Sequence, residues 1–164
     1  MKKLLIIAAA AAVFATPAAA QSLGGPGSTS VSIPLSGTLA KKCSISAFLD
    51  GPFNALNLES TSAQGAESVS VNCNYGGAAS VTFASLNNGN LKSAANDLVP
   101  YKLLVSGSAN PFSSGVQLTT AQTWTGWPAT TNTNQTRSLS VQLSNAATVA
   151  GTYTDTITVS VAAN

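Results

Sequence analysis

The segment from residue 152 to residue 161 alternates between apolar and polar positions with a period of two. Between Tyr153 and Val161 the odd positions carry tyrosine, aspartate, isoleucine and two valines, and the even positions carry threonine and serine. Such alternation in β-favouring residues predicts a strand with one buried face and one wet face. Because a strand needs partners along its edges, the pattern commits this part of the chain to a sheet.

The same alternation recurs along the chain between frequent turn signals, and a 3.6-residue apolar period over helical length is missing after residue 20. We expect turns at 50–52, 74–77 and 87–90, and a polar connection at 91–97. The predicted strands cover residues 31–39, 41–46, 53–58, 68–73, 79–85, 100–105, 115–119, 137–144 and 152–161. This pattern predicts an all-β fold, namely an antiparallel β-sandwich.

The first twenty residues have the pattern of a secretory signal peptide. Lys2 and Lys3 precede an apolar run at 4–14, and the alanines at 18–20 fit the cleavage rule, so we expect the mature chain to begin at Gln21. A membrane anchor is the less favoured alternative, because a Thr-Pro pair interrupts a run already shorter than the ~20 residues of a span. We therefore expect export, with an N-terminal extension at 21–40 and one β-sandwich domain at 41–164.

The charge of the chain is low and, after export, balanced. Two of the seven Lys and Arg residues lie in the signal peptide, which leaves five against five Asp and Glu. With no basic surface, nucleic acid is not an expected partner. Charged residues make up only 7% of the chain, against about 25% in typical domains. Because a neutral surface favours association, the composition suits a component of an assembly, although an ordinary secreted domain is the alternative.

The sequence offers little catalytic chemistry, so we expect no enzyme, cofactor or metal site. It has no histidine, which is the commonest general base. No nucleophile elbow, phosphate-binding loop or calcium-loop spacing is present. The carboxylates are scattered at Asp50, Glu59, Glu67, Asp97 and Asp155.

Two cysteines, Cys43 and Cys73, are the only ones in the chain. Without histidine they cannot supply a tetrahedral zinc site. In an oxidising compartment an even pair predicts a disulfide instead. Closing a loop of about 31 residues corresponds to roughly 3.7 kcal/mol in the chain-entropy account.

Several motifs occur together in an order that resembles a known family. The end of the chain reads Gly-x-Tyr-x-Asp-Thr-Ile-x-Val-x-Val from Gly151 to Val161, Cys73 ends a Val-x-Val-x-Cys strand, and a Tyr-Lys-Leu-Leu-Val strand begins at Tyr101. With the export signal and Cys43 ahead of them, these motifs resemble the spore coat protein U domain. That family includes the pilin subunits of archaic, Csu-type chaperone–usher pili.

The resemblance implies an immunoglobulin-like β-sandwich that lacks its last strand and is completed by donor-strand exchange. A periplasmic chaperone would fill the open groove first, and at the outer-membrane usher the N-terminal strand of an identical or related pilin subunit would replace it. The chain would then be a structural subunit of a surface fimbria that supports adhesion and biofilm formation.

The resemblance also assigns residues to the two partners of this exchange. The donor strand would present Val31, Ile33, Leu35 and Leu39, with Gly37 where the groove leaves no room, and residues 21–30 would be the hinge. The last strand would line the acceptor groove with Tyr153, Ile157, Val159 and Val161. The alternative for residues 31–39 is an ordinary first strand of the chain's own sheet, with Pro34 restricting it to an edge.

A second class of function would use aromatic side chains at the surface. Trp124 and Trp127 fall in a Gly/Pro-containing segment predicted to be a loop, and Tyr75 in another. Exposed aromatic rings could stack on sugars or grip surfaces, as in a secreted adhesin module. The alternative is that the tryptophans cap the sandwich core. A secreted coat or matrix protein of the same fold is a third interpretation.

Overall fold

A computed structural model describes Gly27 and residues 29–48, 51–107 and 110–164. The chain divides into two units, Met1–Thr38 and Leu39–Asn164. In the first unit, residues 29–38 form neither helix nor strand, and Val31, Ile33 and Leu35 are exposed. The predicted signal peptide and most of the predicted hinge lie outside the described residues.

The described residues of the second unit form nine strands in two antiparallel sheets that make up a sandwich, as the alternation predicts. The strands are β1 (Cys43–Phe48), β2 (Ala63–Cys73), β3 (Gly77–Ser85), β4 (Asn90–Ser93), β5 (Leu98–Val105), β6 (Gln122–Ala129), β7 (Gln135–Leu143), β8 (Tyr153–Thr154) and β9 (Ile157–Ala163). The larger, curled sheet has the order β1-β2-β7-β5-β4-β8, and the smaller one has the order β6-β3-β9. Among the described residues, no helix is long and apolar enough to span a membrane.

The inward faces of the central strands form the core. Buried residues alternate with less buried ones along the central parts of β3, β5 and β7 and along the second half of β2, where the polar Ser70 is also buried. The buried side chains include Val69, Val71, Val81, Phe83, Tyr101, Leu103, Val105, Leu139, Val141 and Leu143. The prediction of an all-β sandwich with these inward residues is therefore confirmed.

Both tryptophans belong to this core, as the interpretation that they cap the sandwich core expects, but they lie in a strand and not in the predicted loop. They are part of β6, where Trp127 pairs with Ala79 and Trp124 pairs with Val81. Two residues of β6, Thr125 and Gly126, thus face the single residue Ser80 of β3, and this bulge turns both indoles inward although they are three residues apart. Trp127 is fully buried, and its indole N–H donates to the carbonyl of Gln135 at 3.2 Å.

Four other local predictions are wrong. Residues 53–58 are not a strand, because Pro52 begins a short 3₁₀ helix, Pro52–Ala55. The polar connection at 91–97 contains β4, which pairs with β5. The segment 115–119 forms only an isolated bridge between Val116 and Leu103. Residues 152–161 are two strands, with β8 in the larger sheet and β9 in the smaller one.

Candidate groove between two strand edges

Two strands of the sandwich have a free edge on the same side of the molecule. In the described sheets β1 pairs only with β2, and β9 pairs only with β3. The inward residues Ile45, Ile157 and Val159 on these strands are only partly buried. Strands with an unused ladder and incompletely covered apolar side chains are the elements to which a further strand can be added.

An apolar groove lies between these two edges. Its volume is about 320 Å³. The lining comes from both sheets and from the 3₁₀ helix: Ile45, Ser46, Ala47, Phe53, Leu56, Glu67, Val69, Leu91, Tyr101, Leu139, Val141, Asp155, Ile157 and Val159. The floor is therefore the core itself, and the walls are the two edge strands.

Phe53 reaches the groove because the opposite strand makes room for it. At Gly65 the backbone has a φ of +72°, and a Cβ there would lie 2.5 Å from the Phe53 ring. Gly65 lies in a bulge of β2, between Gln64 and Glu67, where the register with β7 shifts. Only glycine meets both the backbone and the space requirement at this point.

Asp155 is the polar hub of the groove and lies at the break between β8 and β9. Its Oδ2 accepts hydrogen bonds from the hydroxyls of Ser85 and Tyr101, both at 2.6 Å, and its Oδ1 accepts one from the Asn87 amide at 2.9 Å. Burial raises the pKa of the Tyr101 hydroxyl, and the hydrogen bond to Asp155 raises it further. Since Ser85 belongs to β3 and Tyr101 to β5, one carboxylate ties the two sheets together.

The sequence leads us to expect Asp155 at the start of a strand or hydrogen-bonded locally. It lies two residues before β9, but its partners lie 54 to 70 residues away along the chain. A carboxylate that accepts three hydrogen bonds satisfies the requirement for burying it. The second carboxylate of the groove, Glu67, is 3% exposed and accepts a hydrogen bond from the Gly51 amide at 3.1 Å.

A disulfide lies at the other end of the groove. Cys43 and Cys73 face each other in the β1–β2 ladder and are bonded, as the sequence predicts. The Cys43 sulfur lies 3.5 Å from the Tyr75 hydroxyl oxygen. That hydroxyl donates to the Ala78 carbonyl at 3.1 Å and accepts from the Asn164 amide at 2.9 Å. Tyr75 is half-buried and held at this junction, not displayed as a free aromatic surface.

The four residues that the sequence assigns to the groove lie at three different locations in the structure. Ile157 and Val159 line the groove itself. Tyr153 lies in an adjoining, more polar depression beside Phe53 and Asp155, and its hydroxyl donates to the Val149 carbonyl. Val161 packs against the same core cluster as Cys43. The residues assigned to the donor strand, Val31, Ile33, Leu35, Gly37 and Leu39, are all exposed and outside every strand.

Comparison with known protein families identifies the family of this chain. The model of the spore coat protein U domain matches residues 29–160. The chain belongs to the spore coat protein U domain family. The resemblance seen in the motifs is thereby confirmed, and the match begins within the exposed segment ahead of β1. None of the curated proteins matches the chain significantly. Spore coat protein U is a structural domain of the pilin type.

Sequence reasoning missed the half of the groove that lies on the larger sheet. For Glu67 a signal was available, because it shares the parity of Val69, Val71 and Cys73 and so had to face inward. Phe53 and Leu56 gave no such signal. They reach the groove from the 3₁₀ helix and the loop after it, where neither strand nor helix periodicity applies.

Proposed function

We propose that this chain is a structural subunit of a surface fimbria assembled by the chaperone–usher pathway. In this proposal the groove between β1 and β9 receives an extended strand, first from a periplasmic chaperone and then, at an outer-membrane usher, from the next subunit. The donated strand is residues 31–39 of that next subunit. Adhesion and biofilm formation are the expected roles of the fibre.

The observation that carries the proposal is the contrast between core and groove. Apolar side chains from both sheets are left partly uncovered along two unpaired strand edges. An inserted strand would give both edges hydrogen-bond partners and would cover those side chains. Main-chain hydrogen bonds would supply affinity, and alternate side chains seated in the groove would fix the register.

Residues 31–39 have the chemistry of such a strand. The apolar side chains of Val31, Ile33 and Leu35 alternate with serine and proline, and Leu35 is 93% exposed. Nine extended residues span about 30 Å, which is enough to follow the seven residues of β9. The stretch from Gln21 to Ala40 carries no charged side chain, as burial in an apolar groove requires.

The burial of the two tryptophans weakens the alternative of a carbohydrate-binding or surface-binding adhesin module. An aromatic platform needs open ring faces, and both indoles pack inside the sandwich. The interpretation as a coat or matrix protein shares the polymerisation step and differs in where the polymer is deposited.

The decisive experiment changes one donor side chain without disturbing the folded domain. Leu35→Asp places a charge where the groove would bury it, and we expect fibre formation to be lost. Since Leu35 is exposed, the domain itself should remain folded. Fibres are measured by electron microscopy and by size-exclusion chromatography, and folding by circular dichroism.

Ser36→Asp is the matched control, because it adds the same charge on the opposite face of the strand. We expect Ser36→Asp fibres to resemble the wild type. If Leu35→Asp also forms fibres of normal length and yield, residues 31–39 are not the donor strand and the proposal is wrong.

A further inference from the structure

A single lysine bridges the two edge strands at one end of the groove. Lys41 lies two residues before β1, and Asn164 directly follows β9. The Lys41 ammonium donates a hydrogen bond to the main-chain oxygen of Asn164 at 2.6 Å. The residues leading into β1 and out of β9 are therefore joined by one side chain across the line that an inserted strand would follow.

Lys41 and Asn164 are each held in place by further contacts. The Lys41 nitrogen lies 4.7 Å from the centre of the Tyr75 ring, within the range of a cation–π contact. Asn164 donates its amide to Tyr75, donates its side chain to the Thr125 carbonyl at 3.0 Å, and accepts from the Ser80 hydroxyl at 2.6 Å. The bridge thus belongs to a network that also includes the smaller sheet.

The two ends of the groove differ accordingly. At the lysine end the Lys41–Asn164 hydrogen bond joins the segments that flank β1 and β9, and the groove lining starts only at Ile45 on β1 and reaches only Val159 on β9. At the other end Phe48 is 55% exposed, and the groove continues past Phe53 and Leu56 into the depression beside Tyr153. One end is therefore bridged by a hydrogen bond, and the other end continues into a second depression.

We propose that Lys41 is a positioning residue that closes one end of the groove, so that an incoming strand inserts from the Phe48–Asp155 end and displaces Lys41 last. The inference rests on the proposed function. A strand paired along all of β9 must lie about 4.8 Å from it. Near Ala163 that position falls between β9 and β1, where the Lys41–Asn164 bridge lies.

The bridge should slow the last step of insertion without preventing it. A hydrogen bond from a charged donor contributes more than a neutral one, but Lys41 is exposed, so solvent weakens the contact. We expect its removal to speed complete insertion by about three- to tenfold.

The test follows insertion of a labelled synthetic peptide with the sequence of residues 29–39 into the full-length chain, kept too dilute for self-assembly. Lys41→Gln should take up the peptide faster than the wild type, and Lys41→Arg should restore the wild-type rate. Lys42→Gln is the matched control, because it removes the neighbouring charge, and the Lys42 side chain is exposed. It should behave as the wild type.

Hydrogen exchange locates the effect within the groove. In Lys41→Gln the amides of Val161 and Asn164 should exchange faster, whereas those of Ile157 and Val159 should not change. Equal uptake rates in Lys41→Gln and wild type, or faster exchange along all of β9, would overturn the inference. If no variant takes up the peptide, the donor-strand function itself fails, which is a separate result.

Discussion

Inward-facing apolar side chains are buried to different extents on the two neighbouring strands β3 and β9. Around β3, the inward residues Val81 and Phe83 are fully buried, because strands flank them on both sides and the tryptophans of β6 cover them. One strand away, Val159 and Val161 face the same interior but remain partly exposed. The residue types and the alternation are alike, so the difference arises from the missing neighbour of β9.

This comparison explains why composition alone cannot distinguish core from groove. A valine at an inward position is stabilising to the extent that it is removed from water, at about 25 cal/mol per Å² of apolar area. On β3 that gain is complete within one chain. On β9 part of that gain is not realised within one chain, and in the proposed function this remaining burial would drive the addition of a strand.

Removing the disulfide should have the largest effect on the partly covered side of the sandwich. β1 has one ladder partner, so the Cys43–Cys73 bond holds the outer wall of the groove to β2. Replacing both cysteines by alanine should lower the free energy of unfolding by roughly 3.7 kcal/mol. Urea unfolding followed by circular dichroism measures this loss.

Reduction of the wild-type protein serves as the control, because it removes the bond without changing a residue. Both routes should converge on a similar loss of stability. If the double variant and the reduced protein unfold at the wild-type urea concentration, the edge strand does not depend on the bond.

The valines of β3 and β9 provide a matched pair. Val81 and Val161 lie directly opposite each other in the ladder, yet only Val81 is fully buried. Val81→Ala should cost about 2–3 kcal/mol through lost burial and a cavity. Val161→Ala should cost about 1 kcal/mol, because it removes less buried area.

Filling the groove with a peptide should reduce the difference between the stability costs of Val81→Ala and Val161→Ala. With the peptide of residues 29–39 bound, the cost of Val161→Ala should rise towards that of Val81→Ala, since the side chain then becomes a core residue. Urea unfolding with and without peptide compares the two variants. If Val161→Ala lowers the free energy of unfolding equally with and without the peptide, the inserted strand does not cover this end of β9.

Sequence alone predicted the elements whose pattern is local and failed where contacts distant in the chain decide. The alternation identified the inward faces of β2, β5 and β7 correctly. It missed the bulge that buries Trp124 and Trp127, because that bulge exists only in the pairing of β6 with β3. It also missed the division of β8 from β9, which depends on hydrogen bonds from Ser85, Asn87 and Tyr101 to Asp155.

The hydrogen bonds to Asp155 give a smaller effect than the disulfide or Val81→Ala, and theirs is the effect that depends on pH. Tyr101→Phe removes one of three hydrogen bonds to the carboxylate and should cost about 1.5 kcal/mol at neutral pH. The pKa of Tyr101 is raised in the folded state, mainly by burial. The unfolded chain therefore releases this proton near pH 10 while the folded chain retains it, so the stabilisation is complete below pH 10 and declines above it.

The pH dependence is tested by urea unfolding at pH 8 and pH 11. The difference in the free energy of unfolding between the wild type and Tyr101→Phe should be smaller at pH 11. Tyr153→Phe, which loses a hydroxyl bonded to the Val149 carbonyl, is the control for removing a tyrosine hydroxyl elsewhere. An advantage of wild type over Tyr101→Phe that stays constant between the two pH values would contradict the role given to the Tyr101–Asp155 pair in joining the two sheets.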